Sequence, residues 1–572
     1  MDRWLVDNDP STTYPIYTRG NIGEVFPLPV TPLSWTFAAI PCSEAGWRDA
    51  FARYGAFDAD EFSEGIEILG CFGGYGYLNV SISRIFGVRT PGLTPEQVDY
   101  SIWGDMAGVP VYKALPTDES ASHAERIQQT VGWILSAPEL TELIDDRRKM
   151  AELRAARPDF TALSNEEILA HQRGLMPEFR RLFAAHLFVT YCALVPVGII
   201  AGVCQALGDA TLPMRLCAGL GDVDSAAPST TLWDLGRLVA GSTELSSLFE
   251  GGVVGLLDRL RSAPGGAARA FVDQFDQFLY DYGSRGPNEW ETSSPSWETD
   301  PELALAAIDR MRLSPASAAP AEQHDRLAAD REALGGQLVD QLAGDPDTQA
   351  QFAAALPAAK VFLPGRERSK TNVIRLVNEL RIAWNELGRR MVAEGVIARP
   401  QDLSMLQADE LDGFLATPGS FSALIAERAA DYATLFDLEP PFVIVDSVPP
   451  LREWSHRDRS PGIVAAGTTL PGIPGCPGVA RGRARVILDP SDPRALEPGD
   501  VLVAPITDPA WTPLFVPAAA VVVDVGAQMS HAVIVSRELG IPCVVSVTDG
   551  TRKIADGAML EVDGTAGTVK VL

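Results

Sequence analysis

The chain has 572 residues, with 47 Lys and Arg against 75 Asp and Glu, for a formal charge of −28 at pH 7. That length exceeds what one hydrophobic core fills, so several domains are expected. A composition of 46% hydrophobic and 21% charged residues is that of a globular chain, not a disordered one. The acidic excess argues against nucleic acid as a partner, because phosphate backbones are held by clustered Lys and Arg.

Met1-Asp2-Arg3 leads into Asp7, Asp9 and Pro10 without the apolar core of a signal peptide. The seven cysteines (Cys42, Cys71, Cys192, Cys204, Cys217, Cys476, Cys543) are scattered, odd in number and without a C-x-x-C pair. They predict buried thiols in a reducing cytoplasm, with neither a disulfide frame nor a zinc site. Residues 1–130 are rich in Trp, Tyr, Pro and Gly, and read as turns and short apolar runs. From about 130 to 436 the texture is helical, with segments at Asn165–Leu187, Thr230–Phe249, Asn372–Gly395 and Pro418–Phe436, and Ala- and Asp-rich surface helices over 298–358. Leu187 to Leu207 carries no charge, which meets the length rule for a membrane span. Its Thr190, Tyr191, Pro196, Gly198, Gly202 and Gln205 favour a buried core helix, bent near Pro196, and no membrane partner is expected.

Glu439-Pro440-Pro441 opens a stretch without helical period, so 441–470 is expected to be a linker. Beyond Pro471, short β-branched runs alternate with Gly and Pro turns, interrupted by one helix from about Ser530 to Leu539. The expected architecture is therefore multidomain: a largely α-helical body over 1–440, a linker, and a compact C-terminal α/β domain over 471–572.

The strongest chemical signal is Ala527-Gln528-Met529-Ser530-His531, followed by the apolar helix through Leu539 and by Gly540-Ile541-Pro542. A turn after strand 520–525 delivers Ser530 and His531 to a helix start, where free N–H groups and the helix dipole favour an anion. A neutral imidazole there can take a phosphoryl group on a ring nitrogen and donate it onward. A cap or a core histidine is the plainer alternative. His123, His171, His186, His324 and His456 show no ligand-like spacing, and no metal site is assigned. Arg366-Glu367-Arg368-Ser369-Lys370-Thr371 is expected to begin a helix running through Arg375 and Glu379, with Arg366 and Lys370 on one face at i, i+4. That pair can hold a phosphoryl group; a solvated charged face is the alternative. Arg285 and Glu289 lie in a Gly/Pro-rich segment suited to lining a pocket or forming a salt bridge, and Asp281, Glu289 and Glu291 are candidate general bases.

The Ser530-His531 run resembles the swivelling phosphohistidine domain of the phosphoenolpyruvate synthase, pyruvate phosphate dikinase and rifampicin phosphotransferase families. The resemblance takes in Gly472-Ile473-Pro474-Gly475, Gly478 to Gly482, Pro498 to Val503, Thr507-Asp508-Pro509-Ala510-Trp511-Thr512-Pro513, Asp556-Gly557 and Asp563-Gly564. It implies that His531 is the phosphorylated residue. The family has Thr where this chain has Ser530, and often Gly-Gly where it has Gly526-Ala527-Gln528 with a single Gly. Both departures leave the phosphoryl chemistry intact.

Thr18 to Trp35, including Asn21 and Glu24, is similar to the opening of the acceptor-binding domain in rifampicin phosphotransferase-like proteins and in the large subunit of phenylphosphate synthase. Tyr77-Leu78-Asn79, Gly221-Asp222 with Ser225, Tyr282 to Glu289 and Pro295-Ser296-Trp297 support it. A Pro-rich turn packing on its own domain is the alternative for Asn21 to Trp35. The resemblance implies that Arg366 and Lys370 act with His531 and Ser530, and that Asn21, Glu24, Arg285 and Glu289 belong to the acceptor region. The ATP-grasp domain of full-length rifampicin phosphotransferases has no counterpart here, which implies a separate ATP-grasp subunit carrying ATP and Mg2+, as in phenylphosphate and 4-methylphenyl phosphate synthases. The acceptor implied is a small phenol. A rifamycin-type drug, or a non-enzymatic regulatory phosphocarrier role, is the alternative. From Pro471 onward there are 8 Lys and Arg against 11 Asp and Glu, so the acidic excess lies on the larger body.

Overall fold

Alternation decides the C-terminal sheet. In Val501–Ala504, Val501 and Val503 point into one apolar cluster while Leu502 and Ala504 point into another. Ala520–Val523 repeats the pattern, with Ala520 and Val522 on one side and Val521 and Val523 on the other. All eight residues are fully buried, as expected of parallel strands covered on both faces. The computed structural model describes residues 2–103, 109–209, 212–221, 223–224, 226–313, 320–457, 462–488, 496–508, 511–526 and 530–572. Asp222, Ser225, Pro509, Ala510 and residues 527–529, all part of the motifs above, lie outside the described residues.

The strands are β1 (Ile16–Thr18), β2 (Leu69–Phe72), β3 (Tyr75–Asn79), β4 (Val443–Val445), β5 (Thr469–Pro471), β6 (Ile473–Cys476), β7 (Val479–Val486), β8 (Val501–Ala504), β9 (Ala520–Val523), β10 (Cys543–Val545), β11 (Met559–Asp563) and β12 (Thr568–Val571). They form a four-stranded sheet ordered β2-β3-β1-β4 and an eight-stranded sheet ordered β5-β12-β11-β7-β8-β9-β10-β6. The run β7-β8-β9-β10 is parallel, and β11, β12, β5 and β6 add antiparallel flanks. The helices used below are α1 (Asn165–Ala206), α2 (Gly266–Tyr282), α3 (Pro320–Gln341), α4 (Pro346–Ala393) and α5 (His531–Leu539).

The chain divides into two compact units: 1–193 with 290–294 and 368–458, and 194–289 with 295–367 and 459–572. This cuts through the 1–440 stretch expected as one body. Within the second unit, one apolar cluster joins helical residues such as Leu232, Phe275, Trp297 and Ile308 to Leu502, Trp511, Phe515, Val521 and Val533 of the α/β domain. The α/β domain is thus seated on a helical layer.

Four expectations change. The 441–470 stretch is not a free linker as far as residue 457: Val443–Val445 pairs antiparallel with β1, and Trp454 is buried. Three β-branched residues between prolines supply an edge strand that only the β1 partner reveals. Residues 298–358 do not all lie on the surface, since Ala304, Leu305, Ile308 and Met311 of helix Pro301–Met311 are completely buried. Arg366 does not begin a helix: it lies inside the 48-residue α4, which runs on through Pro357 and Pro364 because tertiary burial overrides local propensity. The uncharged stretch after Leu187 continues α1 to Ala206 but is less covered than a core helix. Among the described residues α1 alone is long and apolar enough to cross a membrane, and less than half of its most apolar window is buried. All seven cysteines are free and buried, and desolvation pushes the Cys476 and Cys543 thiols up to about 12.

One buried acid lies just ahead of the His531 loop. Asp524, at the end of β9, accepts hydrogen bonds from the Thr551 N–H (2.8 Å) and the Thr551 hydroxyl. Burial outweighs those bonds and pushes its pKa up to about 7. The folded chain therefore binds this proton more tightly than the unfolded chain, whose Asp titrates near 3.8. Stability from this group is present at low pH and is lost as pH rises from about 4 to about 7, with an upper bound on the order of 4 kcal/mol. Asp524→Asn should flatten the fall of the thermal midpoint between pH 4 and pH 8; parallel curves for the two proteins would refute this.

Candidate active site

Strands β8 and β9 end at the same edge of the parallel run, the side on which open α/β sheets gather their ligands. The segment after β8 carries Thr507, Asp508 and Thr512; the segment after β9 carries Ser530 and His531. His531 is the first residue of α5 and Ser530 its N-cap, as the sequence predicts. Gly540, with φ 62°, ends the helix in the left-handed region that glycine adopts without penalty.

The imidazole is held at both nitrogens. Nε2 lies 3.0 Å from Thr512 Oγ1 and Nδ1 lies 3.2 Å from Thr507 Oγ1. The Phe515 ring stands edge-on at 5.9 Å. Both threonines are buried, so their hydroxyls serve the ring and not bulk water. A neutral imidazole has one N–H and one lone pair, and each hydroxyl can match either. This presents a half-buried, oriented, nucleophilic nitrogen at a helix N-terminus. Thr507 and Thr512 stand in the motif above with nothing local that marks them as partners of the ring, beyond hydroxyls spaced just past a buried strand.

Ser530 behaves differently from a usual cap. Its Oγ makes no capping bond and is buried with no hydrogen-bond partner among the described residues. A Cβ at position 526 would meet this Oγ at 3.2 Å and the Val545 Cβ at 3.0 Å, so Gly526 keeps the space beside it.

The 282–289 segment reaches the same loop. The Asn288 N–H donates to Asp508 Oδ2 at 2.7 Å, and Asn288 itself sits at φ 49°. Next to it, Arg285 Nη1 donates to both Glu289 oxygens at 3.1 and 3.2 Å, each side chain 1% exposed. Arg285 Nη2 also reaches the Asp224 carbonyl at 3.5 Å, and the ion pair stiffens the turn that Asp508 anchors. Glu538, on the last turn of α5, accepts from the Leu220 N–H at 3.1 Å and lies 3.6 Å from His324 Nδ1, and this carboxylate raises the His324 pKa.

Other predicted residues fall elsewhere. Arg366 Nη1 pairs with Glu367 at 2.8 Å, and Lys370 lies one turn further along α4. Asn21, at φ 65°, and Glu24 belong to a short turn built over Arg19, whose guanidinium donates to the Gly76 and Phe26 carbonyls at 2.6 and 2.9 Å. Asp281 is exposed on α2 and accepts from Gln277. Glu291 is buried and accepts from the Thr31 N–H, the hydroxyls of Thr31 and Ser34, and Ser293, which is the role of a clamp and not of a free base. The structure gathers Asp58, Glu61 and His123, but Arg126 and Arg89 already bind the two carboxylates bidentately.

A buried hydroxyl without a partner is destabilising by about 1–3 kcal/mol. Ser530→Ala should therefore raise the unfolding free energy of the unphosphorylated chain by about 1 kcal/mol, read from the denaturant midpoint. A loss of stability would show that the hydroxyl is satisfied in solution.

Two family models match this chain: the fourth domain of rifampicin phosphotransferase over residues 185–367, and the mobile domain of PEP-utilising enzymes over residues 496–567. The chain is 30% identical over 458 residues to a rifampicin phosphotransferase of Streptomyces sp, covering 76% of this chain and 50% of that protein. It is 31% identical over 320 residues to the rifampicin phosphotransferase of Streptomyces sviceus, covering 55% and 36%. An uncharacterized protein of Mycobacterium tuberculosis is 36% identical over 291 residues, covering 51% and 30%. The chain thus spans between 30% and half of the length of these relatives. With the mobile-domain match enclosing His531 and the fourth-domain match covering the helical layer beneath it, the chain belongs to the rifampicin phosphotransferase-like family of PEP-utilising enzymes.

Proposed function

We propose that this chain is the carrier and acceptor-binding part of an ATP-dependent phosphotransferase. His531 takes the β-phosphoryl group of ATP from a separate ATP-grasp subunit, which binds ATP and Mg2+, and passes it to the hydroxyl of a small phenol such as 4-methylphenol. The observation that carries this reading is the setting of His531: first in its helix, at the end of a parallel strand, with each ring nitrogen on a buried threonine hydroxyl.

The chemistry follows from that setting. The lone-pair nitrogen attacks the β-phosphorus, the bond from that phosphorus to the AMP oxygen breaks and AMP leaves, and water then releases the γ-phosphate, while the other nitrogen keeps its proton on the second hydroxyl. The free N–H groups of the first turn and the helix dipole favour the anion so formed. The phosphoramidate is a good donor because neutral imidazole is a good leaving group. Arg366 and Lys370, one turn apart on α4, supply positive charge for the transferring group.

A second reading has its own support, since two relatives that align with over half of this chain are named rifampicin phosphotransferase. The acceptor is then a rifamycin. One assay separates the readings: the chain, its ATP-grasp partner, [β-32P]ATP and Mg2+, with either 4-methylphenol or rifampicin. Label should appear on the chain and move to 4-methylphenol. His531→Ala should remove both signals, a loss of at least about 1,000-fold. Product formed by that variant would sink the scheme. Label that reaches neither acceptor would leave a regulatory phosphocarrier.

A further inference from the structure

The exit of β10 is held in a conformation that its residues do not prefer. Ser546, the first residue after the strand, sits at φ 54°, and Asp549 at φ 58°. Both lie in the left-handed region, which is unfavourable for a residue with a Cβ and persists only where the surroundings impose it. The Ser546 hydroxyl donates to the Gly526 carbonyl at 2.6 Å. Two further bonds run from this exit to the exit of β9. The Val547 N–H donates to the Val523 carbonyl at 3.0 Å, and the Thr551 N–H to Asp524 Oδ1 at 2.8 Å. Val523, Asp524 and Gly526 are thus tied in turn to Val547, Thr551 and Ser546.

Gly526 passes this support to the histidine helix. Ser530, the N-cap of α5, packs on Gly526 so closely that a Cβ there would meet its Oγ at 3.2 Å. An N-cap usually ties down the start of its own helix with its side chain. The Ser530 Oγ makes no such bond, so the start of α5 leans on Gly526, and Gly526 on Ser546. The ring of His531, next in sequence, meets Thr512 and Thr507 at 3.0 and 3.2 Å. A shift of the helix start by about 1 Å would break both contacts. Glycine at 546 would adopt the same φ without penalty, but it carries no hydroxyl to hold the Gly526 carbonyl.

We propose that Ser546 is a positioning residue for His531: its left-handed backbone aims its hydroxyl at the Gly526 carbonyl, and Gly526 sets where α5 begins. Its effect on phosphoryl transfer rests on the phosphotransfer reading above. Ser546 acts on the ring through Gly526 and Ser530, by fixing the reacting nitrogen in place and not by supplying a charge or a proton.

The test uses the intact chain, with 15N in its histidines and potassium phosphoramidate as phosphoryl donor. The His531→Ala chain is the blank and assigns the His531 signals. Ser546→Gly removes the hydroxyl and the left-handed strain together, so its thermal midpoint should stay within about 3 °C of the parent. Its His531 15N signals should nonetheless move toward those of free histidine, and its labelling should slow by at least about 10-fold. Ser546→Asn tolerates the left-handed region and offers an amide donor, so it should label within about threefold of the parent. If Ser546→Gly labels at the parental rate with unmoved signals, the inference is overturned and the phosphotransfer reading stands. Slowing that appears only in step with a fall in the midpoint also overturns it, because a structural role does the same. If the signals move in Ser546→Gly but the parent takes no label above the blank, the positioning stands and the transfer reading falls. If there is neither shift nor label, both fall.

Discussion

The site depends on two four-residue strands being buried on both faces. Val501–Ala504 and Ala520–Val523 have no polar side, so the sheet is covered by a layer above and another below. Polar chemistry is then confined to the strand ends. Thr507 and Asp508 follow one strand, and Ser530 and His531 follow the other. Because the strands are parallel neighbours in direct register, Leu502 opposite Val521 and Val503 opposite Val522, their exits lie side by side and the imidazole meets both threonines.

The same two-sided burial ties the α/β domain to its helical support. Trp511, Phe515 and Val533 share a cluster with Phe275 and Ile308, and the polar contacts at Asn288 and Leu220 lie along this boundary. A carrier that moves away from such a layer uncovers apolar surface, so departure requires another surface to cover the same residues. Among the described contacts there, Asp508 accepts a backbone N–H, and Glu538 accepts from a backbone donor and faces a half-buried histidine.

Legibility followed locality. The helix from Ser530 to Leu539 was readable because its cap, its apolar face and its closing glycine are adjacent in sequence, and the strands of the last hundred residues because β-branched runs between turns are local too. The β4 strand was misread because its partner, Ile16–Thr18, is more than 400 residues away. The 48-residue α4 was cut short because Pro357 and Pro364 are stop signals to any local rule, yet burial on several sides holds the helix through them.

The sequence by itself determined the chemistry of the carrier: a histidine at a helix start, with a hydroxyl beside it and a motif set that points to phosphohistidine. These follow from short-range spacing, which the chain carries in full. Only the tertiary structure decided which hydroxyls hold the imidazole, that the Ser530 hydroxyl makes no capping bond, that Glu291 is a clamp, and that Arg285 and Glu289 form a buried ion pair. Each of these depends on which distant segment fills the remaining valence of a buried polar group. That choice is made when the layers pack.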